Sequence, residues 1–129
     1  AGGESIVNSS GSYGAIGVPS STNVPSGRIV PAMWIDNQGN IWVYGGQSCT
    51  PTCTWLSDMW KYNTTTNQWT WYGGTGVAPA SYTSPFTPGS REFVGSQIVD
   101  SAGYLWLYGG SGPSSLSNGY ADLWKMFPQ

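Results

Sequence analysis

The chain of 129 residues has only 8% charged residues and a net charge of −2, and its cationic side chains are Arg28, Lys61, Arg91 and Lys125. That excludes a basic stripe able to displace counterions from a phosphate backbone, so no nucleic-acid partner is expected. No apolar run approaches the ~20 residues that a membrane-spanning helix requires. With 19 Gly, 8 Trp and 8 Tyr, the composition predicts an all-β protein of short strands and tight turns.

In chain order, the sequence opens at Ala1 with neither an initiator Met nor a basic-then-apolar leader, which reads as a mature or excised piece. Residues 1–27 are polar and Pro-broken. They read as a surface connector or the end of a preceding unit, with Gly2 to Asn8 available as a donor strand. The run Ile29 to Ile35 predicts a first strand, Asp36 to Asn40 is turn chemistry, and Ile41 to Tyr44 predicts a second strand closed by Gly45-Gly46. A loop with Cys49-Thr50-Pro51-Thr52-Cys53 leads to a third strand, Ser57 to Tyr62. A turn at Asn63 to Thr66 and a fourth strand, Asn67 to Tyr72, complete an antiparallel meander ending at Gly73-Gly74. After a connector at 75–90, strands are predicted at Glu92 to Val99, Tyr104 to Tyr108 and Ala121 to Met126, with no fourth strand in this second unit.

The two units are one design written twice. Asp36 recurs as Asp100, Trp42 as Trp106, Gly45-Gly46 as Gly109-Gly110, Asp58 as Asp122, Trp60 as Trp124 and Lys61 as Lys125, each displaced by 64 positions. A period of tens of residues signals stacked supersecondary units, none of which buries its apolar face alone.

An Arg ahead of the first strand (Arg28, Arg91) is followed by an apolar run into a double glycine (Trp42-Val43-Tyr44-Gly45-Gly46; Trp106-Leu107-Tyr108-Gly109-Gly110). Then come Asp-x-Trp-Lys-Tyr (Asp58 to Tyr62; Asp122 to Met126) and a late Trp (Trp69). This combination resembles the kelch repeat family over roughly residues 28 to 129, with Met126 in place of the usual Tyr. The resemblance implies β-propeller blades, each a four-stranded antiparallel meander, whose aromatic residues pack between neighbouring blades and whose diglycine permits a backbone turn. On that reading residues 28–74 are one blade, 75–90 an inter-blade connector and 91–129 an incomplete second blade.

Of ten charged side chains, eight fall into repeat-equivalent pairs: Arg28/Arg91, Asp36/Asp100, Asp58/Asp122 and Lys61/Lys125. A catalytic group is needed once and a structural group in every repeat, so these are read as architecture. Asp36 and Asp100 are expected to form turns, and Arg28–Asp58 and Arg91–Asp122 to form ion pairs. Glu4 and Glu92 are the unpaired acids, and nothing in sequence brings them to one bond. The absence of His removes an imidazole base, a Ser-His-Asp arrangement and a histidine metal site. Catalytic residues, metal ligands and cofactors are therefore expected to be none.

Cys49 and Cys53 admit two readings, a redox or metal pair and a local disulfide. Zinc wants about four ligands, so the disulfide of an oxidising compartment is the expectation. Two N-glycosylation sequons, at Asn8 and Asn63, agree with secretion, and Asn63 is the better candidate because its predicted hairpin turn would expose it. Trp42, Trp60, Trp106 and Trp124 recur with the repeat and are assigned to packing. Trp55, beside the Cys loop, is the aromatic expected to be exposed for contact.

A closed propeller needs about four to eight blades, more than this chain supplies. The expectation is a secreted, non-catalytic structural or interaction protein. It would assemble with other kelch blades or copies of itself through an open strand edge, as a longer chain, a ring or a filament. The alternatives are a glycan-binding propeller and part of a kelch-fold extracellular oxidase of the galactose oxidase type. Such oxidases hold copper with His and Tyr, so the active site would lie outside this chain.

Overall fold

The computed structural model describes residues 3–49, 52–74, 88–92, 96–113 and 119–126, and within them the fold is all-β. The strands are β1 (Ala32–Ile35), β2 (Ile41–Tyr44), β3 (Gln47–Cys49), β4 (Cys53–Trp55), β5 (Met59–Asn63), β6 (Gln68–Gly73), β7 (Ser96–Val99), β8 (Leu105–Tyr108) and β9 (Leu123–Met126). They form a four-stranded sheet in the order β1-β2-β5-β6, a three-stranded sheet β7-β8-β9 and a small β3-β4 hairpin. Every pairing is antiparallel.

Local chemistry explains the strand limits. The first strand, expected from Ile29, begins at Ala32 instead. Val30 takes a positive φ of 45° and Pro31 has no N–H to give, so Ile29 makes only an isolated bridge to Gln47. Its counterpart Glu92 bridges Ser111 in the same way. The third strand, expected from Ser57, starts at Met59, because the preceding backbone is committed to the diglycine: Leu56 N–H donates to Gly46 O and Gly45 N–H to Asp58 O. Gly45 (φ 62°) and Gly46 (φ 93°) turn the chain sharply at this joint. A Cβ on Gly45 would lie 2.6 Å from the carbonyl oxygen of Arg91.

Two segments read as loops are more ordered than expected. The Cys loop closes on itself as the β3–β4 hairpin, with Cys49 opposite Cys53. The segment before Arg28 lies along the outer edge of the first sheet. Gly17 N–H donates to Trp71 O, Ser20 N–H to Trp69 O, and Asn23 Nδ2 to both Val18 O and Trp69 O, so the edge strand β6 is covered.

The core lies between the two sheets. Period-two alternation sends Ala32, Trp34, Trp42 and Tyr44 to one face of the first sheet, where they meet Leu105, Leu107 and Met126 of the second, with Val99 and Trp124 packed alongside. Four polar contacts lock the joint. Trp34 Nε1 donates to Trp106 O (3.0 Å), Met33 N–H to Gln97 Oε1 (3.1 Å), Gly46 N–H to Arg91 O (2.8 Å) and the Tyr44 hydroxyl to Gly89 O (3.2 Å).

Candidate functional site

The described residues hold two copies of one charged cassette. In the first sheet, Arg28 Nη1 and Nη2 grip Asp58 in a bidentate pair at 2.7 and 2.8 Å. The same guanidinium donates to Gly45 O, Ser26 O and Ser26 Oγ. In the second, Arg91 grips Asp122 at 2.8 and 3.0 Å and donates to Gly109 O and Gly89 O. Each carboxylate also accepts the indole N–H two residues on, from Trp60 at 2.7 Å and Trp124 at 2.6 Å. The guanidinium thus ties the diglycine carbonyl to the start of the third strand, a geometric task repeated in both sheets.

The copies differ in what covers them. The Tyr13 hydroxyl donates to Asp58 Oδ2 at 2.7 Å, and its ring packs on Trp60 and Trp71. Burial, then the Asp58 charge, pushes the Tyr13 hydroxyl pKa up to about 12. The Asp58 side chain is 0% exposed, whereas that of Asp122 is 37% exposed. A guanidinium hydrogen bond, opposed by partial burial, holds the Asp122 carboxyl below the usual range. Nothing in the sequence marked Tyr13, because it lies outside the repeated segment.

A second repeated cassette closes the first turn of each sheet. Asp36 Oδ1 accepts from Gln38 and Asn40 N–H while Oδ2 accepts the Trp42 indole at 2.8 Å. Asp100 does the same with Ala102, Tyr104 and Trp106. At Asp36 burial opposes the charge, but the donors from Trp42, Asn40 and Gln38 outweigh it and lower the pKa. At Asp100 the Trp106 indole leads the lowering. Lys61 Nζ stands 5.3 Å over the Trp42 ring, and Lys125 stands over Tyr104 and Trp106 at 3.6 and 5.1 Å.

Cys49 and Cys53 form a disulfide. Asn8 is exposed, in a left-handed backbone conformation (φ 61°). Asn63, expected in an exposed turn, instead ends β5. It is half-buried, and its Oδ1 accepts from Thr65 and Thr66 N–H to cap the turn. Trp55, expected to be exposed, is half-buried at the end of β4, and its Nε1 is buried without a hydrogen-bond partner.

The two unpaired acids stay apart. Glu92 is buried beside the joint with Oε2 unpartnered. Glu4 is exposed, takes a short hydrogen bond from Ser9 Oγ, and lines a cleft of about 170 Å³ with Ser26 and Trp69. Among the described residues no group of three or more His, Cys, Asp or Glu is placed to hold a metal ion, and no helix is long and apolar enough to cross a membrane.

No protein-family model, no curated protein and no solved structure matches the chain.

Proposed function

We propose that the chain is a secreted, non-catalytic structural or interaction protein whose two sheets are kelch-type propeller blades, and that it assembles with further blades by strand complementation. The observation that carries this reading is the contrast between β5 and β9. β5 pairs with β2 on one side and β6 on the other, whereas its counterpart β9 pairs, among the described residues, with β8 alone. An unpaired edge is a template for another chain. Support also comes from strand order: both sheets run as meanders, and their leading strands β1 and β7 lie next to each other, as blades around a common axis require.

The donor is a strand from another copy or a further blade. In this chain Ile6 and Val7 are exposed, and as consecutive residues they would present apolar side chains to opposite faces of an added strand. The charged residues serve the architecture, since both cassettes spend their carboxylates on the guanidinium and indoles of their own sheet. The disulfide fits secretion.

Hydrogen exchange tests the edge. Amides of Leu123 to Met126 are expected to become protected as concentration rises through self-association. Unchanged exchange there, in a sample that does associate, would remove the β9 edge as the joint.

A further inference from the structure

The joint between the two sheets is heterologous: one face of the first sheet meets the opposite face of the second. The first contributes Trp34, Trp42 and Tyr44, and the second contributes Val99, Leu105 and Leu107. Repeat equivalence then fixes what the two outer faces are. The outer face of the second sheet carries Ile98, Trp106 and Tyr108, which stand where Trp34, Trp42 and Tyr44 stand in the first. The outer face of the first sheet carries Met33, Ile35 and Ile41, the counterparts of Gln97, Val99 and Leu105.

Exposure shows that the outer face of the second sheet is open, and that the outer face of the first is open along β1 while Val43 and Trp60 beyond it are buried, with Tyr13 of the lead segment packed on Trp60. Trp34 is 3% exposed and Ile98 64%; Tyr44 is 0% and Tyr108 52%; Leu123, beside them on β9, is 62%. On the other side Met33 and Ile35 are 50% and 67% exposed. The molecule therefore displays on one side the counterparts of Trp34, Trp42 and Tyr44, and on the other the β1 counterparts of Gln97 and Val99, apolar surface of the kind that marks association sites.

Resting on the assembly reading above, we infer that the occupant of each outer face is a second copy of this chain. The outer face of the second sheet in one copy packs on the outer face of the first sheet in the next. The internal joint supplies the polar pattern. As Gly46 N–H donates to Arg91 O and the Tyr44 hydroxyl to Gly89 O, so Gly110 N–H reaches Arg28 O, and the Tyr108 hydroxyl Ser26 O, of the second copy. Ser26 O holds the position equivalent to Gly89 O. It accepts Arg28 Nε at 3.1 Å, just as Gly89 O accepts Arg91 Nε at 3.2 Å while also taking the Tyr44 hydroxyl. Such a contact is head-to-tail, and repetition gives a ring if the rotation closes and a filament if it does not.

Two surface substitutions test this in the 129-residue chain. Leu123→Lys blocks one face and Ile35→Lys the other, at exposed positions where the fold tolerates a lysine. In sedimentation velocity each variant alone is expected to be a monomer at concentrations where the unsubstituted chain associates. An equimolar mixture is expected to recover a 1:1 complex through the one intact face on each partner, and that recovery also shows that both variants are folded. Persistent self-association of either variant alone would place the joint elsewhere and overturn the inference while leaving assembly standing. Failure of the mixture to associate would overturn the complementarity of the faces. A monomeric unsubstituted chain at every concentration would overturn the assembly reading itself.

Discussion

Breaking the buried ion pair Arg28–Asp58 is expected to cost far more than a surface pair would. Arg28→Ala removes five hydrogen bonds, two of them to Asp58. It leaves a carboxylate with a 0% exposed side chain, to which the Tyr13 hydroxyl and the Trp60 indole still donate. An uncompensated buried charge costs about 3–5 kcal/mol. With Asp58→Ala in the background that charge is gone, so the second substitution should cost much less, and the coupling energy should be roughly 2–3 kcal/mol. At Arg91–Asp122 the carboxylate side chain is 37% exposed and water replaces part of the lost interaction, so the coupling should be about half as large. Urea denaturation of the two double-mutant cycles measures both numbers. Additivity at Arg28–Asp58 within about 0.5 kcal/mol, or equal coupling in the two cassettes, would refute the argument that burial sets the strength of these pairs.

Gly45→Ala should destabilise the protein by about 2–3 kcal/mol, through the left-handed backbone and the 2.6 Å approach of the added Cβ to Arg91 O. Thermal unfolding reads that loss, and a neutral outcome would mean that the joint between the sheets is not close-packed there. For Tyr13 the folded pKa, at about 12, lies above the ordinary value of about 10. Its contribution is complete below pH ~10 and lost as pH rises towards ~12. Tyr13→Phe should cost about 1 kcal/mol at neutral pH and flatten that alkaline slope. Asp36, Asp100 and Asp122 have lowered pKa values, so their contribution to stability should be complete above about pH 4 and fall as the pH drops further, a loss that acid titration followed by tryptophan fluorescence detects. Reduction of Cys49–Cys53 should cost about 2 kcal/mol or less and leave both main sheets intact by near-ultraviolet circular dichroism, because the closed loop is short and confined to β3–β4.

The parts of the fold legible in the sequence were those that repeat. Trp42 and Trp106 mark the second strand of each sheet, Asp36 and Asp100 its turn, and Arg28/Asp58 with Arg91/Asp122 the joint behind the diglycine. A residue needed twice at one spacing announces its structural task. What the sequence concealed depends on single contacts across long separations. Tyr13 reaches Asp58 across 45 residues and Trp34 reaches Trp106 O across 72, and neither has a repeat partner to flag it. The lead segment looked like a connector because its Gly, Ser and Pro content is turn chemistry, yet its backbone carries the hydrogen bonds that cover β6. Val30 hid another limit: a β-branched residue inside an apolar run reads as strand, but the neighbouring Pro31 and a φ of 45° end it. The half-burial of Asn63 and Trp55 was hidden for a related reason, since composition marks a turn or a loop without saying which side chains cap or fill it.

The central claim, that this chain is a building block completed by other blades, is tested most directly by the mass of the native particle. Sedimentation velocity across a wide concentration range is expected to show the 13.8 kDa chain giving way to integer multiples of that mass, with rings or filaments visible by electron microscopy. A single 13.8 kDa species at every concentration would contradict the account.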